Sequence, residues 1–94
     1  MKITWRPGAL LDLDAIETYI ERDSPKAALR MQQLIRHAVG LLASQPRLGR
    51  PGRISGTREL VVPRSPYIVA YDEHDDEIRV LAVLHAARKW PHAL

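Results

Sequence analysis

Apolar residues recur at helical spacing through the first half of the chain and in short strand-like runs through the second. Lys2-Ile3-Thr4-Trp5 alternates polar and apolar positions, which predicts a short strand. Leu10, Leu13, Ile16 and Ile20 then follow at three- and four-residue intervals, with Asp12, Asp14, Glu17 and Glu21 on the other side. That pattern predicts an amphipathic helix over roughly 8–21, with Pro7 in the first turn, where its missing N–H costs nothing. Asp23-Ser24-Pro25 breaks the pattern and restarts it, Ser24 as an N-cap and Pro25 as the first helical residue. The second helix carries Ala28, Met31, Leu34, Ile35, Ala38, Leu41 and Leu42 on one face and runs to Ala43 or Ser44, since Pro46 stops it. Two such helices joined by so short a link form an antiparallel hairpin whose apolar side needs a cover.

The second half supplies that cover. Residues 45–56 read as a loop rich in Gly, Pro and Arg, followed by strands near 57–62, 67–72 and 78–84. Pro63 and Pro66 bracket a turn rather than interrupt a ladder, and the acidic segment from Asp72 to Asp76 suits a second hairpin turn. Val80 to Leu84 is almost continuously aliphatic, which predicts a central strand buried on both faces. The order is therefore β-α-α-β-β-β: an α+β domain with a helical hairpin packed on a small, mainly antiparallel sheet. A chain of 94 residues has room for one such core, so residues 1–94 are expected to form a single domain.

Composition narrows the chemistry. Cysteine is absent, which removes disulfides, thiol catalysis and thiolate-bound zinc together. His37, His74 and His92 lack any ligand spacing, so neither metal nor cofactor is expected. Gly49-Arg50-Pro51-Gly52 lacks the Lys-Ser/Thr continuation of a phosphate-binding loop, and no nucleophile elbow surrounds any serine. No run approaches the roughly 18 apolar residues that span a bilayer, and no apolar leader opens the chain, so the expectation is a cytoplasmic protein with no membrane partner.

Charge is the more telling feature. The net charge is only +3, but residues 46–71 hold Arg47, Arg50, Arg53, Arg58 and Arg64 against the single acid Glu59. Arg88 and Lys89 add to this beyond His85, while acids gather at Asp72-Glu73-His74-Asp75-Asp76-Glu77. A basic end to the β half suits an acidic protein or a nucleic acid. Asp12, Asp14 and Glu17 read as the solvated face of the first helix. Cleavage of RNA by its own 2′-OH needs a base, an acid and cationic stabilisation of the phosphate, and Arg58, Arg64, His85 and Arg88 could in principle form such a set. Trp90 beside them is either a docking group or a ring packed back on the sheet.

The motifs Leu48-Gly49-Arg50-Pro51-Gly52-Arg53, Gly56-Thr57-Arg58-Glu59-Leu60-Val61-Val62, Tyr67-Ile68-Val69-Ala70-Tyr71 and Val83-Leu84-His85-Ala86-Ala87-Arg88-Lys89-Trp90-Pro91 follow one another in this order after Ala9–Ile16. With that layout the chain resembles the ParE/RelE superfamily, the toxins of type II toxin–antitoxin modules. The resemblance implies a small toxin neutralised by tight binding of a co-expressed antitoxin, which wraps it and usually represses the operon. RelE-type members cut mRNA on the ribosome and typically carry Tyr-Arg-x-x-Tyr, whereas ParE-type members poison DNA gyrase without hydrolytic chemistry. Ile68 stands here where the arginine would be, and Val83-Leu84-His85 matches the ParE-type end of the last strand. The resemblance thus favours a gyrase inhibitor with no catalytic residues and with Arg58, Arg64, Tyr67, His85, Arg88 and Trp90 as target- or antitoxin-binding residues. The alternatives are a ribosome-dependent mRNA endonuclease using Arg64, His85 and Arg88, and an attenuated toxin acting mainly within an antitoxin-bound repressor complex.

Overall fold

A computed structural model describes all residues from Met1 to Leu94. β1 (Lys2–Trp5) leads into α1 (Pro7–Glu21) and α2 (Pro25–Gly40), which ends in a single 3-10 turn over Leu41–Ala43. β2 (Arg50–Pro51), β3 (Arg58–Val61), β4 (Tyr67–His74) and β5 (Glu77–His85) complete a five-stranded sheet in the order β1-β5-β4-β3-β2. Pro7 and Pro25 open their helices, and the Ser24 hydroxyl accepts the Ala27 N–H at 3.1 Å. β1 runs parallel to β5, which requires the helical hairpin as crossover, and the remaining pairs are antiparallel. The expected α+β architecture is therefore present, with β2 as an addition: two residues inside the expected loop that pair Arg50 with Glu59 and Pro51 with Arg58.

The helices cover one face of the sheet. Ala9, Leu13, Ile35, Ala38, Val39 and Leu42 meet Tyr67, Val69, Tyr71, Ile78, Val80 and Val83 in one buried cluster, with Ile16, Met31 and Leu34 packed at its border. The buried stripe of α1 runs through Ala9, Leu13 and Ile16; Leu10, expected on it, lies one residue round the helix and is 45% exposed. Leu41 likewise turns outward, because the chain tightens to 3-10 geometry at that point.

Strand alternation puts Ile68, Ala70 and Ala82 on the opposite, back face, where they too are buried. A β-bulge reconciles the aliphatic run of β5 with this alternation. Tyr71 pairs with Val80 and Ala70 with Ala82, leaving Leu81 as the extra residue, so that Val80 and Val83, three apart, both face the helices. β5 is central only in part. β1 stops at Trp5 opposite Val80, and the Arg6 N–H caps the Val80 carbonyl at 2.9 Å. From Leu81 to His85 the strand has β4 on one side and no strand on the other, which corrects the expectation of a strand enclosed along its whole length.

Side chains from β3 and β4 fix the loop before β3. The Tyr71 hydroxyl accepts the Gly49 N–H and donates to the Pro46 carbonyl, both at 2.9 Å, and Arg58 Nη1 donates to the Gly49 carbonyl at 2.7 Å. Gly49 has no room for a side chain: a Cβ there would stand 2.8 Å from the Tyr71 ring and hydroxyl and 2.9 Å from the Glu59 carbonyl. Glu59 is 4% exposed and accepts from Arg50 Nη2 at 3.1 Å and from the Arg53 backbone N–H and Nε at 2.7 and 3.3 Å. The β4–β5 turn places Asp75 and Asp76 both at positive φ, 51° and 60°, the two-residue geometry that matches strand twist.

Candidate functional site

The free half of β5 is one wall of a cleft of about 540 Å³. Across from it stands α1, whose Asp12, Ile16 and Tyr19 recur at four and three residues and so share one face, with Arg22 continuing it. Tyr67, Val83, Leu84 and His85 line the sheet side, and Arg88, Lys89 and Trp90 close the end. The cleft curls round the strand edge, because Tyr67 and Val83 face the helices whereas Leu84 faces back. Trp90 belongs to the back side as well. The Arg53 guanidinium lies 3.5 Å from its ring centroid, and Arg53 in turn is held by Glu59, which sits opposite Ala70. Trp90 therefore packs back against the sheet through Arg53, as the packing reading expects.

Of the six sequence-derived binding candidates, Tyr67, His85, Arg88 and Trp90 come together here. Arg58 does not: its guanidinium holds the Gly49 carbonyl on the β2 side of the sheet. Arg64 does not line the cleft either. It is exposed in the β3–β4 turn with φ 62°, left-handed backbone that a non-glycine residue seldom adopts. That turn nevertheless lies at the same end of the sheet, since Ala86 N–H donates to the Pro66 carbonyl at 2.8 Å. Glu59, the acid nearest these arginines in sequence, binds Arg50 and Arg53 rather than Arg58 or Arg64.

Asp12 is the main correction on the helix side. It is not a solvated charge: its Oδ2 accepts the Val83 N–H at 3.0 Å, occupying the position that a neighbouring strand's carbonyl would otherwise take. Burial pushes its carboxyl above the usual aspartate range, against the lowering effect of that hydrogen bond. Burial likewise raises the Tyr67 hydroxyl, with the Arg88 charge acting the other way, so Tyr67 stays protonated at neutral pH. Arg22, Arg88 and Lys89 enter none of the ion pairs of the fold, which are Arg50–Glu59, Arg53–Glu59 and Arg79–Asp72, nor the His74–Asp75 contact.

His85 sits edge-on to Tyr67, their ring centroids 5.6 Å apart, and its Nδ1 accepts the Ala87 N–H at 3.1 Å. A neutral imidazole has one ring nitrogen free to accept. Here that lone pair is already engaged, so the proton resides on Nε2 and the ring acts as a donor. Taking a proton from a substrate hydroxyl would require breaking the Ala87 contact first. No group of three His, Asp or Glu side chains gathers to hold a metal ion, and no helix is long and apolar enough to cross a membrane.

Two helices packed on a five-stranded mixed sheet in the order β-α-α-β-β-β match the fold of the ParE toxins of type II modules. The family model for the ParE toxin of the type II toxin–antitoxin system parDE matches residues 3–90, and the chain belongs to that family. It is 47% identical to the protein Y4kP of Sinorhizobium fredii over 93 residues, covering 99% of this chain and 96% of that one. It is 40% identical to toxin RelE2 of Caulobacter vibrioides over 87 residues, 93% of this chain and 97% of that one. Among solved structures it resembles the chromosomal ParDE toxin–antitoxin system from P. aeruginosa, with TM-score 0.81 and 31% identity over 90% of this chain and 95% of that one. The chain is the toxin of a type II module, which pairs with an antitoxin.

Proposed function

We propose that this toxin acts on DNA gyrase by binding, with no bond-breaking chemistry of its own, and that the antitoxin neutralises it by covering the α1–β5 cleft. One observation carries the reading: the only histidine in the cleft has its Nδ1 lone pair committed to the Ala87 N–H, so the imidazole is not poised as a base. Ile68, where the resemblance would place a cutting toxin's arginine, is buried on the back of the sheet and carries no charge. Tyr67, His85, Arg88 and Trp90 then serve as contact residues. Arg64 adds to the same basic end, and Arg58 acts only by holding the loop. Purified toxin should inhibit gyrase supercoiling and accumulate broken DNA, and His85→Ala should weaken this. Absence of any effect at micromolar toxin would overturn the proposal.

A second reading is a ribosome-dependent mRNA endonuclease. The likeness to a toxin named RelE2 and the presence of Arg64, His85 and Arg88 at one end of the sheet favour it. On that reading, His85→Ala and Arg64→Ala each abolish A-site cleavage while antitoxin binding survives. Toxicity retained in the double variant excludes it.

A further inference from the structure

Glu59 is a buried carboxylate in apolar company. Its neighbours on the back of the sheet are Ala70 directly opposite, then Ile68 and Ala82. Apolar replacement of a buried ion pair is often neutral or stabilising, so stability alone is a poor reason for a charge here. What a carboxylate supplies is direction. Oε2 accepts both the backbone N–H and Nε of Arg53, which fixes that residue at two points. The loop is equally tight on the other side of Arg53. The Gly52 N–H donates to the Thr57 carbonyl at 2.8 Å, and a Cβ on Gly52 would run into the Thr57 hydroxyl. The guanidinium so placed stacks on the Trp90 ring, 3.5 Å from its centroid.

Trp90 has few other restraints. Hydrogen bonds hold the chain after β5 as far as Arg88: the Ala86 N–H donates to the Pro66 carbonyl, and the Ala87 and Arg88 N–H groups donate to His85. From Lys89 to Leu94 no hydrogen bond or ion pair follows, and the buried Trp90 Nε1 has no acceptor. The orientation of the indole therefore rests on packing and on Arg53.

We propose that Glu59 is a positioning residue of the cleft: acting through Arg53, it sets the orientation of Trp90 and the course of the chain from Lys89 onward. It does so from β3, two strands away from β5, and lines no part of the cleft itself. The consequence for target binding rests on the reading of the cleft as the contact surface; the placement of Trp90 does not. Arg53 is the single link, so a change at Glu59 reaches the cleft only while the guanidinium is present.

The test uses the intact, 15N-labelled chain, whose two indole N–H signals belong to Trp5 and Trp90 and are told apart by Trp90→Phe. Glu59→Gln should shift the Trp90 indole and the Lys89 amide and leave the Trp5 indole in place, whereas a general loosening of the fold would move both indoles. Arg53→Met keeps the aliphatic stem and removes the guanidinium from a half-exposed side chain, so the variant folds. It should speed hydrogen exchange at the Trp90 indole roughly tenfold. Adding Glu59→Gln to Arg53→Met should then produce no further shift at Trp90 or Lys89. The proposal is overturned if either single variant leaves the Trp90 indole unmoved, or if Glu59→Gln still moves it once Arg53 is methionine. Gyrase inhibition is measured separately, and Glu59→Gln should weaken it by a factor similar to that of Trp90→Ala. A relay from Glu59 to Trp90 in a toxin inert to gyrase removes only the gyrase assignment, and gyrase inhibition with Trp90 unmoved by Glu59→Gln removes only the positioning role.

Discussion

Tyr71→Phe removes one oxygen atom and two hydrogen bonds, and the structure indicates how much that costs. The Gly49 N–H loses its acceptor in a spot that excludes water: the Tyr71 ring and the Glu59 carbonyl crowd it so closely that not even a methyl group fits. An unsatisfied buried donor costs about 1–3 kcal/mol. The Pro46 carbonyl, only partly buried, can turn to solvent and forfeits about 1 kcal/mol. The sum is about 2–4 kcal/mol, within the roughly 5–15 kcal/mol that holds a small domain together, so the variant still folds. At about 4–8 °C per kcal/mol for a domain of this size, the melting temperature should fall by about 8–32 °C. Urea unfolding followed by circular dichroism measures the free energy directly, and an unchanged m-value assigns the change to the native state. Because Tyr71 does not line the cleft, antitoxin affinity well below the melting temperature should be unaltered. A loss under about 0.5 kcal/mol would refute the accounting. A full-sized loss of toxicity in a stable variant would refute the assignment of Tyr71 to structure.

Other consequences follow from the same geometry. Gly49→Ala should destabilise as much as Tyr71→Phe or more, since its Cβ collides with both the hydroxyl and a backbone carbonyl; a thermal melt decides this. Glu59→Gln should cost about 1–2 kcal/mol rather than more, because Arg50 and Arg53 are 55% and 49% exposed and water takes over their charge. Burial raises the Glu59 carboxyl, but the Arg53 backbone N–H with the Arg50 and Arg53 side chains outweighs it and leaves the group below the glutamate value of 4.5. Its contribution is present above pH 4.5 and fades as pH falls through the lower folded value, so acid unfolding profiles of wild type and Glu59→Gln should converge there. Asp12→Asn keeps an oxygen for the Val83 N–H and loses a charge whose folded pKa is raised. Such a group opposes folding above pH 3.8, so at pH 7 the variant should melt no lower than wild type.

Much of this fold was legible in the sequence because its signals are local. Pro7, Ser24-Pro25 and Pro46 bound the helices by backbone chemistry alone, and alternation around the Pro63–Pro66 turn places β3 and β4. What stayed hidden depends on long-range register. Leu81 looks like any other aliphatic residue of its run, yet it is the bulge that carries β5 past β1 and leaves an edge open. The candidate site divided the same way. His85, Arg88 and Trp90 are neighbours in sequence, and Tyr67 reaches them by pairing across one hairpin. Asp12 joins from 71 residues away through its bond to Val83, although the pattern of the first helix had placed it on the solvated side, opposite Ile16. Arg58 and Arg64 were grouped with them by charge alone, and charge does not say which side of a sheet a side chain occupies.

The extra residue at Leu81 also constrains how this scaffold can change its chemistry. It sets the parity of the last strand, so that His85 projects with Tyr67 toward the helices while position 68 projects to the back. A charge placed at position 68 would lie across the thickness of the sheet from the imidazole, not beside it. Bringing an arginine at 68 beside His85 therefore takes more than that single codon. It also requires a one-residue slip in β5, which would reassign every side chain beyond the slip to the other face.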